Sequence, residues 1–250
     1  MRVFCVVAYK GTRFYGWEKQ IGQISIQEEI ESALGKVFNS SITIHGSGRT
    51  DAGVHALGQT FHFDVDENRY SQDDLKYRLN SILPADIQIK SIKYLGNDSN
   101  FHSRFSATRK VYEYHLCLNA KDPFKYDSCW MLKASTFDEE LFDASIKKFV
   151  GVHNFENFTS KEEDSDNFIR EIFSINWRFD RENGEIVIEI DGNGFMRYQI
   201  RYIIGTAVNI AIGKEKIDFI DKKLDSDETR SIVSYKAPAQ GLYLKEVRYE

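Results

Sequence analysis

The order in which strands and helices follow one another in the N-terminal part of the chain constrains its fold more than any other feature. β-Branched and aromatic residues are concentrated in the runs that we predict as strands. Apolar residues spaced four apart predict a first helix, and a Ser71-Gln-Asp-Asp74 capping sequence opens a second, which Pro84 ends. The predicted elements are a strand over 2–9, a helix over 24–38, strands over 42–45 and 56–65, a helix over 71–83 and a strand over 86–95. This β-α-β-β-α-β order is typical of a ferredoxin-like unit.

The same order can be read again in the C-terminal part. The predicted elements are a strand over 111–118, a helix over 137–150, strands over 168–179 and 185–190, a helix over 195–212 and a strand over 241–249. Asn183-Gly184 between two of these strands is a strong hairpin signal. We therefore predict an α+β fold of two ferredoxin-like β-α-β-β-α-β halves with antiparallel sheets around a central cleft. The N-terminal half covers 1–108, and the C-terminal half covers 109–250 with insertions near 119–136 and 213–240.

Net charge does not decide what this chain binds. The 250 residues include 33 Lys and Arg against 38 Asp and Glu, which gives a formal net charge of −5. Such a charge is a sum over all faces of the protein, so it leaves a nucleic-acid partner open. The acidic excess is concentrated in 64–67, 138–143 and 162–166, which we predict to be outer helices and loops.

Cysteine usage and hydropathy predict a cytoplasmic protein. Cys5, Cys117 and Cys129 are an odd number of cysteines without a Cys-x-x-Cys pair. This pattern predicts neither a disulfide framework nor a zinc knuckle, and it is typical of a reducing cytosol. The longest uncharged stretch, 202–213, is far shorter than the roughly 20 residues of a membrane-spanning helix. The apolar run over 3–9 ends too early for a signal peptide.

The glycine-rich segment His45-Gly-Ser-Gly-Arg-Thr-Asp-Ala-Gly-Val-His55 carries the most chemistry in the chain. It is not a dinucleotide fingerprint, because Asp51 stands where that motif needs glycine, and it lacks the Gly-Lys-Ser/Thr ending of a P-loop. An arginine such as Arg49 within a few Å favours the ionised carboxylate that a nucleophile or a general base needs. The alternative is a structural turn closed by an Asp51–Arg49 salt bridge. His45, His55 and His62 fit no tight metal-ligand spacing, so we expect no metal.

Residues 46–56 resemble the active-site signature of the tRNA pseudouridine synthase A family. Further landmarks of that family occur in the same order: Tyr9-Lys-Gly-Thr-Arg-Phe-Tyr-Gly-Trp17, Phe101-His-Ser-Arg-Phe-Ser-Ala-Thr108, Tyr112-Glu-Tyr114, Gly151-Val-His-Asn-Phe155, Gly192-Asn-Gly-Phe195 with Arg201 following, and Ala237-Pro-Ala-Gln-Gly-Leu-Tyr-Leu244. Collinear matches over nearly the whole chain are more specific than one motif. The resemblance implies a pseudouridine synthase fold and an isomerase that converts uridine to pseudouridine in the anticodon stem-loop of tRNA, at positions 38, 39 and 40.

The resemblance also implies roles for individual residues. Asp51 is the nucleophile or essential carboxylate, with Arg49 as its neighbour. Tyr112 is the aromatic residue on the uracil, and Arg201 is the basic partner across the cleft. Arg197 lies four residues before Arg201, on the same helix face, and is then the contact for a phosphate. Without the resemblance, the arginine pair is typical of a solvated stripe and Tyr112 of a core position.

The implied reaction needs no cofactor. Uridine loses its N1 glycosidic bond, the base turns over and rejoins the sugar through C5, and the C5 proton leaves. No electrons are gained and no group is lost, so we expect no redox cofactor, ATP or metal. Asp51 can attack the sugar, remove a sugar proton to form a glycal, or add to the uracil ring, and the sequence does not choose among these. Tyr112 can take the C5 proton only if positive charge lowers its pKa from about 10.

The expected partner is tRNA, and the resemblance implies a homodimer in which one tRNA crosses both subunits. A uridine in a stem must be flipped out of the stack, and aromatic side chains commonly stack on extruded bases. Arg13 and Arg104 lie in segments that mix cations with aromatic residues, so we expect both to bind the substrate.

Two other classes of protein fit the sequence less well. A non-catalytic RNA-binding module would carry an RNP1 pattern, which is absent. A hydrolase would need a second carboxylate at motif spacing beside Asp51. Departures from the family pattern bear on which uridines are modified: Lys10 and Glu18 stand where aspartate and glutamine are common, and the loop over 162–166 is acidic.

Overall fold

A computed structural model describes residues 1–67, 69–96, 99–119, 121–160, 167–225 and 230–249. Its elements in chain order are β1 (Arg2–Tyr9), α1 (Ile26–Phe38), β2 (His45–Gly46), β3 (His55–Asp64), α2 (Gln72–Ile82), β4 (Ile87–Leu95), β5 (Arg109–Leu118), β6 (Trp130–Leu132), α3 (Glu139–Lys147), β7 (Gly151–Asn154), β8 (Ile169–Asp180), β9 (Glu185–Gly192), α4 (Gln199–Ala211), α5 (Asp218–Leu224) and β10 (Leu242–Arg248). Two compact units divide the chain, Met1–Thr108 with Tyr243–Glu250, and Arg109–Leu242.

The first unit is a sheet with two helices. β1 pairs antiparallel with both β3 and β4, and β3 also takes β2 antiparallel and β10 in parallel. Every second side chain of β1 is buried, ending at Tyr9. α1 buries one face, and the hydroxyl of Ser25 caps it by accepting a hydrogen bond from Glu28 N. The predicted cap of α2 is confirmed, because the hydroxyl of Ser71 accepts from Asp74 N.

The second unit has a sheet in the order β5-β9-β8-β7, all antiparallel, with β6 parallel to β5. The predicted hairpin between β8 and β9 is confirmed, and Gly184 in its turn has a φ of 64°. α4, predicted over 195–212, begins at Gln199, because Tyr198 before it adopts a left-handed conformation. α4 packs against α3. Strands and helices with mainly antiparallel pairing confirm the predicted α+β class.

The insertions hold elements that the sequence patterns did not predict. They are β6 in the insertion near 119–136 and α5 in the insertion near 213–240. β7 lies outside the insertions, and the sequence patterns predict no strand there either. Conversely, the strand predicted over 42–45 is reduced to the two residues of β2. The acidic segment over 162–166 lies outside the described residues. No helix within the described part of the chain is long and apolar enough to cross a membrane.

Cys117 and Cys129 form a disulfide, although the cysteine pattern predicts no disulfide framework. Their Cα atoms are 6.2 Å apart. The chain turns back after β5 so that β6 runs parallel to it and pairs Cys117 with Met131, which brings Cys129 alongside. The odd count concealed this pair because the third cysteine, Cys5, is buried in β1 as a free thiol.

Candidate active site

Asp51 lies in the loop between β2 and β3, and backbone and side-chain contacts fix the residues around it. The hydroxyls of Tyr9 and Thr50 are 2.7 Å apart in a buried hydrogen bond. Trp17 N donates to Thr50 O over 3.0 Å, and Val54 N donates to Asp51 O over 3.1 Å. The main chain is therefore held immediately before and after Asp51, while the side chain of Asp51 keeps partial exposure.

Two glycines permit the close packing of this loop. Gly16 has a φ of 93°, and a Cβ there would lie 2.6 Å from Thr50 O. A Cβ on Gly46 would lie 2.7 Å from the indole of Trp17. A side chain at either position would therefore displace backbone or indole next to the loop, so the segment 9–17 and the segment 46–56 form one packed structure.

A second set of contacts supports the loop from β3. Ser47 Oγ donates to Gln59 Oε1 over 2.6 Å, and Gln59 Nε2 donates to Gly48 O over 2.9 Å. His55 Nδ1 accepts from Gly11 N over 3.1 Å, and its ring stacks on Tyr243 at 4.5 Å. His55 therefore has a structural role, as an acceptor and a stacking partner.

The remaining histidines of the first unit form a ring cluster. His45 and His62 stack with centroids 5.0 Å apart, and His102 contacts His62 edge-on at 4.6 Å. Burial, and to a lesser degree the charge of Arg2, lowers the pKa of His62 to about 4. Among the residues that the structure describes, no group of three or more His, Cys, Asp or Glu could hold a metal ion.

The predicted substrate-binding arginines of the first unit are exposed, and each has a local partner. Arg49 Nη2 lies 2.7 Å from a carboxylate oxygen of Glu18, so Arg49 forms an ion pair with Glu18. Arg13 pairs with the carboxylate of Asp86. Arg104 lies over the ring of Phe105 at 5.9 Å, and Phe105 itself is 78% exposed.

In the second unit, Tyr112 and Tyr114 lie two residues apart in β5, and both are buried. Tyr112 contacts Phe195 edge-to-face at 5.3 Å and keeps 8% exposure. Tyr114 is fully buried, and its hydroxyl donates to Pro238 O over 2.9 Å. Burial raises the pKa of Tyr114 well above its ordinary value, and the charge of Arg201 opposes that shift. Tyr114 is therefore a structural support for the segment around Pro238.

Arg201 in α4 is oriented by the same segment. Its Nε donates to Ala237 O over 2.7 Å, and Ala237 N donates back to Arg201 O over 2.9 Å. A Cβ on Gly205 would collide with Tyr235 O, so that glycine permits the close approach. The landmark Ala237-Pro-Ala-Gln-Gly241 is thereby explained as the segment that fixes the direction of Arg201.

Two residues that contribute to these arrangements have no signal in the sequence. Tyr9 reaches Thr50 across more than forty residues, and no spacing pattern signals such a contact. Tyr198 places its ring 5.1 Å from the guanidinium of Arg201, although its position before a helix carries no sequence signal. Asp51 and Arg201 belong to different units, and their predicted pairing stays a prediction.

A family model described as tRNA pseudouridine synthase matches residues 5–106 and 145–250. The chain belongs to this family, so the resemblance inferred from its motifs and the class of enzyme are confirmed. Similar relatives named tRNA pseudouridine synthase A occur in Dictyoglomus thermophilum, at 37% identity over 97% of both chains, and in Lactococcus lactis subsp. cremoris SK11, at 35% identity over 100% of this chain and 97% of the relative. The archaeal box H/ACA sRNP Nop10-Cbf5 complex aligns with a TM-score of 0.37 at 12% identity, over 83% of this chain and 54% of that chain, and we draw nothing from so distant a likeness.

Proposed function

We propose that this protein isomerises uridine to pseudouridine in the anticodon stem-loop of tRNA, at positions 38, 39 and 40, with Asp51 as its essential carboxylate. The observation that carries the proposal is the loop around Asp51. Four of its neighbours, Tyr9, Trp17, Thr50 and Val54, fix the backbone on both sides of the carboxylate. A group held in this way needs little reorganisation when it reacts, which is the arrangement that a nucleophile or general base requires.

Tyr112 and Arg201 complete the proposed machinery. Tyr112 stacks on the uracil and accepts the C5 proton at the last step, and Arg201 supplies the positive charge that favours the ionised form of Asp51. The bond between N1 and the sugar breaks, a bond from C5 to the sugar forms, the C5 proton leaves to a base, and N1 takes up one proton. The product is therefore an isomer of the substrate. Attack on the sugar, glycal formation and addition to the ring all lead to this same net change.

Arg49, Arg13, Arg104 and Arg197 are the proposed RNA contacts. Arg104 and the exposed ring of Phe105 offer a cation beside an aromatic face, which suits an unstacked base. Arg49 has to exchange Glu18 for RNA when the substrate arrives. We also propose that the protein is cytoplasmic and forms a homodimer. Multi-angle light scattering of the purified protein tests the dimer.

The test of the function is tritium release from tRNA transcripts that carry 5-tritiated uridine, followed by mapping of the modified positions. Asp51→Asn should lower the rate at least about 10³-fold while RNA binding is nearly unchanged. Asp66→Asn is the matched control, because Asp66 is an exposed carboxylate of the same unit. Substantial turnover by Asp51→Asn removes Asp51 from the essential role, and no release by the wild type removes the function itself.

Tyr112 has a separate test. Tyr112→Phe keeps the ring that would stack on uracil and removes only the hydroxyl, so this variant should bind tRNA normally and fail to complete the reaction. Tyr126→Phe, at an exposed tyrosine of the same unit, is the control. A wild-type rate for Tyr112→Phe would leave Tyr112 with a packing role against Phe195 only.

A further inference from the structure

Tyr198 has an unusual backbone conformation at the start of α4. Its φ is 63°, in the left-handed region. The other described residues that share a positive φ without being glycine are Asn39 and Asn119. Asparagine tolerates this region, whereas a bulky aromatic residue does so at a cost that the surrounding structure must offset. The conformation of Tyr198 therefore calls for a reason.

Its consequence is that one aromatic ring is surrounded by three cations. The ring centroid of Tyr198 lies 4.3 Å from Lys236 Nζ, 4.9 Å from Arg197 Cζ and 5.1 Å from Arg201 Cζ. Arg197 Nη2 also donates to the Tyr198 hydroxyl over 3.2 Å. These four residues are called the α4 cation cluster below.

The cluster concentrates positive charge. Because each cation lies about 5 Å from one ring centre, any two of them are at most about 10 Å apart, roughly one Debye length at 0.1 M salt. Within the described residues, neither Arg197 nor Lys236 forms an ion pair with a carboxylate. Other cations of this unit do, such as Arg109 with Asp191 at 2.7 Å and Lys148 with Asp221 at 2.8 Å.

The ring of Tyr198 stabilises the three neighbouring cations, and the N-terminal end of α4 favours an anion beside them. Cation–π attraction to Tyr198 offsets part of the repulsion among the three charges. They lie at the N-terminal end of α4, the end of a helix that favours anions, and the first turn of α4 contains no acidic side chain. Lys236 and Arg197 therefore carry positive charge that no ion-pair carboxylate among the described residues neutralises, which suits a bound phosphate.

We propose that Lys236, Arg197 and Tyr198 form a binding site for one backbone phosphate of the RNA, beside Arg201. Lys236 and Arg197 contact the phosphate oxygens, and Tyr198 is the positioning residue whose ring holds both cations in place. Lys236 immediately precedes Ala237, whose carbonyl accepts from Arg201 Nε, so the site lies next to Arg201. This inference rests on the proposed function for its ligand, an RNA.

The test is the salt dependence of tRNA binding, measured without turnover by filter binding or fluorescence anisotropy. Loss of one phosphate contact reduces the slope of log K against log salt by about 0.7–0.9 and weakens binding about three- to tenfold at 0.1 M salt. Lys236→Gln should show both effects. The substitution should not disturb the fold, because the side chain of Lys236 is exposed. Lys133→Gln, at an exposed lysine that follows β6, should keep the wild-type slope.

Substitutions of Tyr198 separate positioning from general structure. Tyr198→Phe keeps the aromatic face and should bind nearly as the wild type does, whereas Tyr198→Leu should reduce the slope as Lys236→Gln does. In the turnover assay, Lys236→Gln should raise KM three- to tenfold and leave kcat nearly unchanged. Wild-type slopes in both Lys236→Gln and Tyr198→Leu would overturn the phosphate site. Because binding is measured without turnover, a wild type that binds tRNA but forms no pseudouridine defeats the proposed function and leaves this site standing.

Discussion

The hydrogen bond between Tyr9 and Thr50 links the end of β1 to the residue before Asp51. Tyr9 is 4% exposed and Thr50 is 7% exposed, and their hydroxyl oxygens are 2.7 Å apart. Tyr9→Phe removes one hydroxyl and leaves the other buried without this partner. Leaving a buried polar group unsatisfied costs about 1–3 kcal/mol, so the thermal midpoint of a chain of this size should fall by roughly 2–12 °C.

A double-mutant cycle isolates the bond from the change in packing. Thr50→Val keeps the shape of the side chain and removes the hydroxyl, and it should destabilise the protein less than Tyr9→Phe does, because Gln59 remains a partner of the Tyr9 hydroxyl. The double variant should be about as stable as Tyr9→Phe alone, because neither hydroxyl is then left unsatisfied. The expected coupling energy is about 1 kcal/mol or more, measured by thermal or urea denaturation.

The same cycle tests whether this bond positions Asp51. If Thr50 sets the place of the carboxylate, Tyr9→Phe should lower kcat for pseudouridine formation about tenfold, a loss of about 1.4 kcal/mol in the transition state. KM should change little, because no RNA contact is altered. Additive stabilities in the cycle, or an unchanged kcat in all three variants, would refute the reasoning.

Three further changes have defined outcomes. Glu18→Gln should tighten tRNA binding up to about fivefold at low salt, because Arg49 then no longer has to break its ion pair with Glu18 before it binds RNA. The limit follows from the value of an exposed ion pair, about 0–1 kcal/mol. Burial lowers the pKa of His62 to about 4, so as the pH falls the imidazole is protonated in the unfolded chain before it is protonated in the folded protein. Acidification from about pH 6.5 to 4 should therefore remove up to about 3 kcal/mol of stability. Reduction of the Cys117–Cys129 disulfide should lower the free energy of unfolding by about 2–3 kcal/mol, because it closes a loop with a sequence separation of 12.

Each of these three predictions has a control or an outcome that would contradict it. Weaker binding by Glu18→Gln would show that the pair orients Arg49 for RNA. His62→Gln should flatten the acid limb of the stability profile, and an NMR titration of His62 near its ordinary pKa would contradict the argument. The double variant Cys117→Ala/Cys129→Ala should be insensitive to reductant, and equal midpoints for reduced and oxidised wild type would contradict a stabilising disulfide.

Local patterns in the sequence were sufficient for most of the regular structure. Alternation in 2–9 predicts β1, and the Ser71 cap predicts the start of α2, because each depends on neighbours in sequence. Elements whose stability comes from distant contacts were missed. β6 has only three residues and depends on its pairing with β5. α5 has only seven residues, too few for its apolar spacing to stand out within an insertion.

The candidate site could be located from sequence, but its geometry could not be derived. The loop with Asp51 is identifiable from its glycines and its charged residues. The partner of Arg49 is not, because Glu18 and Asp51 are both plausible carboxylates and only the fold brings Glu18 to 2.7 Å. Tyr198 lacks any local signal, since neither its left-handed conformation nor the cations around its ring follow from the spacing of residues in the sequence.

The segment over 9–17 and the loop with Asp51 are far apart in sequence, but they pack against each other in the structure. Gly16 approaches the carbonyl of Thr50, Trp17 donates to that carbonyl, and Phe14 O accepts from Gly53 N over 3.4 Å. The segment over 9–17 is therefore the support on which the loop with Asp51 rests, and it needs no reactive group of its own. Gly16→Ala should accordingly reduce kcat rather than tRNA affinity, although residue 16 carries no side chain to contact the substrate. A Gly16→Ala variant that folds, keeps wild-type kcat and loses only affinity would show instead that this packing serves the RNA contact of Arg13 and does not position Asp51.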